Sequence, residues 1–435
     1  MVLTSSEVNA NAGSSNPLST QLRSISAPTV QMRNHAEGGS RKAHKKLRFD
    51  VSEKEIVEHV NFGLRNGHFP DPTHDGTGGS YLLKDAIGKP HAVWKPALEE
   101  PYAPRNPRGY ILTEGANSIP FSPMRPGFRV GRGFLRERAA YALDASSGKF
   151  AAGVPLTTIA AEVSSSDGKG TAFVELQASS SSIFGSLGDF SSIGSVQKFV
   201  PNMGDCEDYG SGVLDTGDVH RLAVLDIRLL NADRHGSNIL IARDEGSPAS
   251  ARPCGAKKKL VPIDHGFCLP CYTKLGGTSF AWSSWPQVRE PLSAELSTFV
   301  EKGIDIAADV QLLRENGIDN EACLLSMRMS THLLKVGVAA GLTLAQISQL
   351  LQREDPETGD TASSQSASAF EKLVSNAAAA AQCRNNKGCA ARVHHCTFGS
   401  ACTEPQRCGC ESCQIFLEFA SRVEAIIPNS AKQQE

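Results

Sequence analysis

Asp233 and Asn238 stand five positions apart in Asn231-Ala-Asp-Arg-His-Gly-Ser-Asn238, and after one insert Asp264 and Gly266 close the run Leu260-Val-Pro-Ile-Asp-His-Gly266. Kinase-type phosphotransferases use this order for a carboxylate that orients the attacking hydroxyl, a metal-ligating Asn and a metal-ligating Asp. Phosphoryl transfer asks a protein mainly for positioning and charge neutralisation. Asp233 suits the first task. Asn238 and Asp264 suit the second, because magnesium takes hard oxygen ligands and few carboxylates beside phosphate oxygens. An Asp-x-x-x-x-Asn pair alone arises by accident in a chain of 435 residues. The context adds weight: apolar residues 225–230 precede Asp233, Ile239-Leu-Ile follows Asn238, and a strand-like run over 259–263 delivers Asp264. The indicated chemistry is on a nucleoside triphosphate. His235 reads either as a helper that orients the phosphate or Asp233, or as a structural hydrogen-bonder, and His265 is open in the same way.

The elements around these residues fall into two halves. From about 60 to 200, short apolar runs are punctuated by Gly and Pro, at 80–83, 91–95, 108–112 and 171–176, with one helix expected over 135–143. A Ser/Gly-rich stretch between about 160 and 195 reads as a flexible insert. From 217 the pattern turns helical, with Asp218 as the expected cap of a helix over 219–230 and an apolar-periodic stretch over 321–351. The expected fold is therefore α+β and two-lobed, with a strand-rich N-lobe at about 60–200 and a helical C-lobe at about 201–353.

A glycine-rich turn, Gly76, Thr77, Gly78, Gly79, Ser80 and Tyr81, runs straight into the first of these strands, and Lys95 ends the next. Glycines let backbone N–H groups approach phosphate oxygens, and a Lys on the adjacent strand can neutralise their charge. Taken alone, the glycines read by default as a plain hairpin. Glu137 on the expected helix raises the phosphate reading, since active kinases hold the phosphate-binding Lys with a Glu from that element. Arg136 and Arg138 flank it, so a surface salt bridge is the alternative.

With these residues in hand, the chain resembles the phosphatidylinositol 3- and 4-kinase superfamily, most closely the gamma-type phosphatidylinositol 4-kinases related to type II lipid kinases. The carrying motifs are Gly76-Thr-Gly-Gly-Ser-Tyr81, Ala92-Val-Trp-Lys95-Pro, Ala103-Pro-Arg-Asn-Pro-Arg-Gly109, Phe134-Leu-Arg-Glu-Arg-Ala-Ala-Tyr141 and Val196-Gln-Lys-Phe-Val-Pro201, followed by Asn231 to Asn238, Ile263-Asp-His-Gly-Phe-Cys-Leu-Pro270 and Trp282-Ser-Ser-Trp-Pro-Gln287. The resemblance covers roughly residues 60–353 and implies a protein-kinase-like fold with ATP between the lobes. It assigns 76–81 to the phosphate loop, Lys95 to the phosphates, and Gln197, Lys198, Phe199 and Val200 to a hinge that reads adenine. It likewise assigns 233–238 to the catalytic loop and 264 to about 286 to the activation segment. The implied acceptor is the 4-hydroxyl of phosphatidylinositol in a membrane surface. Phe280, Trp282 and Trp285 are candidates to dip into that surface, with ordinary packing as the alternative.

Three departures accompany the resemblance. No ubiquitin-like domain, which many plant gamma-type members carry, fits in the short N-terminal arm. The clustered cysteines that anchor type II relatives are missing, and Cys268 and Cys271 read as packed thiols. The tail is also unusual. Cys383, Cys389, Cys396, Cys402, Cys408, Cys410 and Cys413, with His394 and His395, crowd the segment 369–428 beyond a polar linker at 354–368. Zinc takes four thiolate or imidazole ligands, so this set could furnish two closed structural sites, with scattered free thiols as the alternative.

Bulk composition bounds the partners. A net charge of −2 gives no whole-molecule basic field, so no nucleic-acid partner is expected. The basic run 41–48 closes an arm, 1–48, that carries too few large apolar side chains to order itself. No run approaches the roughly 18 apolar residues of a membrane span, and no secretory layout opens the chain, so the expectation is cytoplasmic with peripheral membrane association. Two other functions use the same residues. A protein Ser/Thr kinase is one, because any hydroxyl that reaches Asp233 could accept phosphate. A catalytically silent scaffold that recruits a protein partner through the Cys-rich module is the other, and the intact set of Lys95, Glu137, Asp233, Asn238 and Asp264 speaks against it.

Overall fold

The computed structural model describes residues 50–73, 76–112, 121–164, 170–177, 192–243, 257–353, 366–386 and 410–431; the arm 1–48 and the linker core 354–365 lie outside them. The first element is a helix the sequence reading missed, α1 (Asp50–Arg65). Ile56, Val57 and Val60 recur on one face, and all three are buried against the sheet with Leu83, Ala92, Trp94, Phe173 and Val196.

That sheet joins β1 (Asp71–Pro72), β2 (Tyr81–Lys84) and β3 (Pro90–Pro96) to three later strands. Helix α2 (Gly133–Ser146) then precedes β4 (Thr157–Ser164), β5 (Thr171–Leu176) and β6 (Ser192–Lys198). The order is β1-β2-β3-β6-β4-β5, antiparallel throughout. Alternation along β3 sends Ala92 and Trp94 toward α1 and leaves Lys95 to the other face, which α2 covers. Three of the expected strand runs form. The run at 108–112 does not: it makes a single bridge, between Tyr102 and Ile111, and Tyr110, Ile111 and Leu112 are exposed. The Ser/Gly-rich stretch is not loop throughout, because its ends are built into β4 and β6 and β5 lies inside it; residues 165–169 and 178–191 lie outside the described set.

In the second half, β7 (Asn202–Asp205) leads to α3 (Thr216–Leu229). The cap of α3 is Asp215, whose carboxylate accepts the Asp218 N–H, rather than Asp218, which pairs with Arg221 one turn on. Strands β8 (Ile239–Ala242) and β9 (Leu260–Pro262) complete a small sheet with β7. Helices α4 (Ala294–Thr298), α5 (Ile306–Glu315), α6 (Glu321–Ala339) and α7 (Leu344–Leu351) follow. The apolar stretch 321–351 thus splits in two, at a turn where Gly341 has φ +81° and Thr343 with Gln346 forms a capping box.

Two further helices, α8 (Ala369–Asn386) and α9 (Glu411–Ala431), come from the segment read as a Cys-rich module. Their buried residues Phe370, Val374, Ala377, Ile415, Phe419 and Val423 share one core with α3, α6 and α7. Among the described residues, no helix is long and apolar enough to cross a membrane.

Candidate functional site

Lys95, the last residue but one of β3, pairs with Ser195 of β6; at the neighbouring Gly194 a Cβ would stand 2.1 Å from the Lys95 carbonyl oxygen, so only glycine lets the strands pass this closely. The Lys95 Nζ lies 2.6 Å from Glu137 Oε1 and 3.2 Å from Asp264 Oδ1. Glu137 is buried on α2, which removes the surface salt bridge as its explanation. Arg138 turns instead to Glu53 of α1 at 2.6 Å, and Arg136 lies over the Phe128 ring. Burial alone would lower the Lys95 pKa, but the carboxylates of Asp264 and Glu137 outweigh it and hold the ammonium above its ordinary value. Glu137 is the mirror case. Burial would raise its pKa, yet Lys95 and His265 hold its carboxyl well below the usual range.

The loop that carries Asp233 begins where α3 ends, at Leu230, in left-handed backbone with φ 46°. Asp226, fully buried on α3, anchors it. Its carboxylate accepts from Asn231 Nδ2 at 3.0 Å, Arg234 Nε at 3.0 Å and Trp282 Nε1 at 2.9 Å. Arg234 is buried too, and its Nη1 donates to the carbonyls of Asn238 at 2.6 Å and Ile263 at 2.7 Å. Its Nη2 lies 2.9 Å from His265 Nε2, and the His265 backbone N–H donates to Glu137 Oε2 at 3.1 Å. One buried polar chain therefore runs from Asp226 through Arg234 and His265 to Glu137 and Lys95. It answers the question left by His265, which is a fully buried structural link.

Asp233 and Asn238 meet directly: Asn238 Nδ2 donates to the Asp233 carbonyl at 2.9 Å. The small sheet brings Asp264 alongside, because Ile239 pairs with Pro262 and the Ile263 N–H donates to the Asn238 carbonyl at 3.0 Å. Asp264 takes φ 55°, a strained backbone for a residue with a side chain, which turns its half-exposed carboxylate back toward Lys95. The Asp233 carboxylate has a partner that no local spacing marks. Arg125, from the loop before α2, donates to it through Nη2. His235 points elsewhere: it is exposed, with Nδ1 2.6 Å from Ser237 Oγ and 3.9 Å from Glu207.

The glycine turn is the connection of the β1–β2 hairpin and also a shaped loop. The Thr73 N–H donates to the Ser80 carbonyl at 2.8 Å, and Gly76 has φ +83°. The Gly79 N–H donates to the Glu99 carbonyl at 2.9 Å, and a Cβ on Gly79 would stand 2.1 Å from the Glu99 carboxylate. That carboxylate also accepts from the Tyr81 hydroxyl at 2.6 Å, and burial followed by this contact pushes the phenol up to about 12. Asn106, buried, reaches the Thr77 carbonyl at 2.9 Å. Glu99 and Asn106 thus fix the turn. The sequence flagged the run around Asn106 only through its resemblance.

At the expected hinge, the buried Gln197 side chain donates to Thr157 Oγ1 at 2.9 Å. The Lys198 and Phe199 N–H groups donate to the carbonyls of Leu156 and His91, and the Val200 carbonyl accepts from Asn202. The aromatic residues offered as a membrane edge are placed otherwise. Phe280 and Trp282 are buried and stacked on each other at 4.7 Å, and Trp285 packs partly buried against the same core, so packing accounts for them. Cys268 and Cys271 are buried free thiols, and burial pushes the Cys268 thiol above its ordinary value.

Of the cysteine set, Cys383, Cys410 and Cys413 are described, on or beside α8 and α9. Cys389, His394, His395, Cys396, Cys402 and Cys408 lie outside the described residues. Among the described residues no group of three or more His, Cys, Asp and Glu side chains is arranged to hold a metal ion.

The sequence matches the family Phosphatidylinositol 3- and 4-kinase over residues 76–347. It is similar to Phosphatidylinositol 4-kinase gamma 4 of Arabidopsis thaliana, 36% identical over 312 residues that cover 71% of this chain and 51% of that protein. Phosphatidylinositol 4-kinase gamma 3 of Arabidopsis thaliana is 35% identical over 319 residues, covering 71% and 51%. Phosphatidylinositol 4-kinase gamma 4 of Oryza sativa subsp. japonica is 35% identical over 321 residues, covering 72% and 50%. The chain spans about half the length of these curated relatives.

Proposed function

Because the chain belongs to the phosphatidylinositol 3- and 4-kinase family, we propose that it is an ATP-dependent lipid kinase that phosphorylates the 4-hydroxyl of phosphatidylinositol, giving phosphatidylinositol 4-phosphate. The observation that carries the reading is the convergence of Lys95, Glu137 and Asp264 within hydrogen-bond reach, in one network with the loop of Asp233 and Asn238. The 4-hydroxyl follows the names of the relatives.

Asp233 orients the inositol hydroxyl and draws its proton as the bond from that oxygen to the γ-phosphorus of ATP forms and the bond from this phosphorus to the bridging oxygen breaks, with ADP as the leaving group. Lys95, held by Glu137, carries the charge of the nucleotide phosphates, and the turn at 76–81 covers them. Asn238 and Asp264 fit a magnesium ion by chemistry. Asp264 supplies a half-exposed carboxylate, and Asn238 spends its amide N–H on the Asp233 carbonyl, so its amide oxygen remains an acceptor. Magnesium, when bound, neutralises the phosphate charge that builds during transfer. Phosphatidylinositol resides in a membrane, so the protein works at a membrane surface as a peripheral enzyme. The Cys-rich segment is a candidate for structural zinc and for a protein partner.

The test is phosphate transfer by the full chain from labelled ATP to phosphatidylinositol vesicles, beside a generic protein substrate, with Asp233→Ala as control. Label in the lipid that requires Asp233 is the expected outcome. Label confined to protein would establish a protein kinase in its place, and no Asp233-dependent label in either would favour a scaffold.

A further inference from the structure

Arg125 lies 108 positions before Asp233 in the chain, yet its guanidinium rests on the Asp233 carboxylate. Its place is built by the loop around it. The Ser122 N–H donates to the Phe128 carbonyl at 2.7 Å and closes the loop, with Pro123 and Pro126 limiting its backbone. The Cys271 N–H donates to the Gly127 carbonyl at 3.0 Å, and Phe128 meets Phe267 edge-on at 5.3 Å. Both contacts tie the loop to the segment after Asp264. Two more cations, Arg129 and Lys274, lie over the Phe121 ring at the start of the same loop.

One edge of the guanidinium is incomplete. Nη2 donates to Asp233, but Nε is buried and makes no hydrogen bond among the described residues. A buried donor without an acceptor is costly, and the Nε and Nη2 edge of a guanidinium matches two oxygens of one phosphate. A ligand that presents a hydroxyl to Asp233 and a phosphate to this edge would satisfy both groups. Water, or an acceptor with no phosphate, would leave Arg125 on Asp233.

We propose that Arg125 is a specificity residue of the site, reading a phosphate on the acceptor whose hydroxyl Asp233 orients. The acceptor class is thus a phosphorylated cyclitol or related polyol, either as a lipid headgroup or free in solution. This rests on the lipid-kinase reading above and adds to it the residue that recognises the headgroup phosphate.

The test uses the full chain as wild type, Arg125→Ala and Arg125→Lys, with circular dichroism to confirm that each folds. Binding of inositol 1-phosphate is compared with that of myo-inositol by calorimetry, and KM is measured for phosphatidylinositol in phosphatidylcholine vesicles. Arg125→Ala should weaken inositol 1-phosphate binding about 10- to 100-fold, the range expected for loss of a charge-assisted contact. Arg125→Lys should recover part of it, and myo-inositol should not distinguish the proteins. The KM change should fall on the phospholipid rather than on ATP. Equal inositol 1-phosphate binding by wild type and Arg125→Ala, or none by wild type, overturns the proposal. Arg125-dependent binding of inositol 1-phosphate without label in phosphatidylinositol would keep Arg125 as the phosphate reader, assign the acceptor to solution, and remove the lipid-kinase reading alone.

Discussion

Two carboxylates reach the ammonium of Lys95, one from α2 and one from the turn after β9. Each holds the Lys charged, and the Lys in turn holds Glu137 ionised. Glu137, with its pKa depressed, contributes stability above its unfolded value of 4.5 and loses it only as pH falls through the lower folded value. Lys95, with its pKa raised, contributes below its unfolded value of 10.5 and loses it only as pH rises through the higher folded one. The pair should therefore impose no ionisation on a kcat profile between about pH 5 and about pH 10. Glu137→Gln, measured in the vesicle assay, should lower kcat/KM about 10- to 100-fold by removing a charge-assisted contact; wild-type turnover by this variant would remove Glu137 from the site. At this scale much was legible in the sequence. Lys95, Asp233, Asn238 and Asp264 are marked by local spacing and by the apolar runs beside them. Arg125 carries no such mark, because its partner is distant in the chain and its neighbours are prolines and a loop.

Among the elements, α2 is held at its N-terminus by a residue outside it. Glu100 Oε1 accepts the Gly133 N–H at 2.8 Å and the Phe134 N–H at 3.2 Å, two of the donors a helix start leaves open. Burial nonetheless raises the Glu100 carboxyl to about 7, against the pull of Arg136 and of those N–H groups. A raised carboxyl pKa means that the folded state holds the proton more tightly. Its stabilisation is complete below 4.5 and is lost as pH rises toward about 7. Thermal unfolding of wild type and Glu100→Gln across that window should show a decline in wild type that the variant lacks; parallel curves would refute it. Element reading from sequence failed where the decisive contact was tertiary. Among the described residues the apolar run at 108–112 has no strand to pair with, and α1 is missed although its apolar face is regular, because the polar arm before it draws the folded boundary too late. The cap of α3 fell three residues early for a smaller reason: Asp215 and Asp218 both suit an N-cap, and Arg221 claims the second.

For the whole molecule, the consequential packing is that of α8 and α9. Composition suggested a module apart, since cysteines dominate the segment, but the amphipathic faces of the two helices complete the core of the helical half. Phe419 is fully buried there and meets Phe370 edge-on at 5.5 Å. Phe419→Ala should cost about 3–5 kcal/mol in denaturant unfolding monitored for the entire helical half. A loss confined to α8 and α9, with the rest unfolding as before, would show that they are an independent unit. Sequence periodicity could predict a helix at α9 but not its partner, since an apolar stripe fits a metal-centred fold and a helical neighbour equally.

The buried indole of Trp282 gives the site an optical handle. The chain has three tryptophans. Trp282 stacks on Phe280 and donates to Asp226, the root of the polar chain that ends at Lys95, while Trp94 sits next to Lys95 in the strand-rich core. Trp285 is the partly exposed third. Replacing Trp285 by Phe would leave two dry chromophores, one in each half: Trp282 at the root of that chain, and Trp94 on the α1 face of the sheet as an internal reference. A change in Trp282 emission relative to Trp94 would then register, with no label attached, a disturbance that reaches Asp226 along that chain.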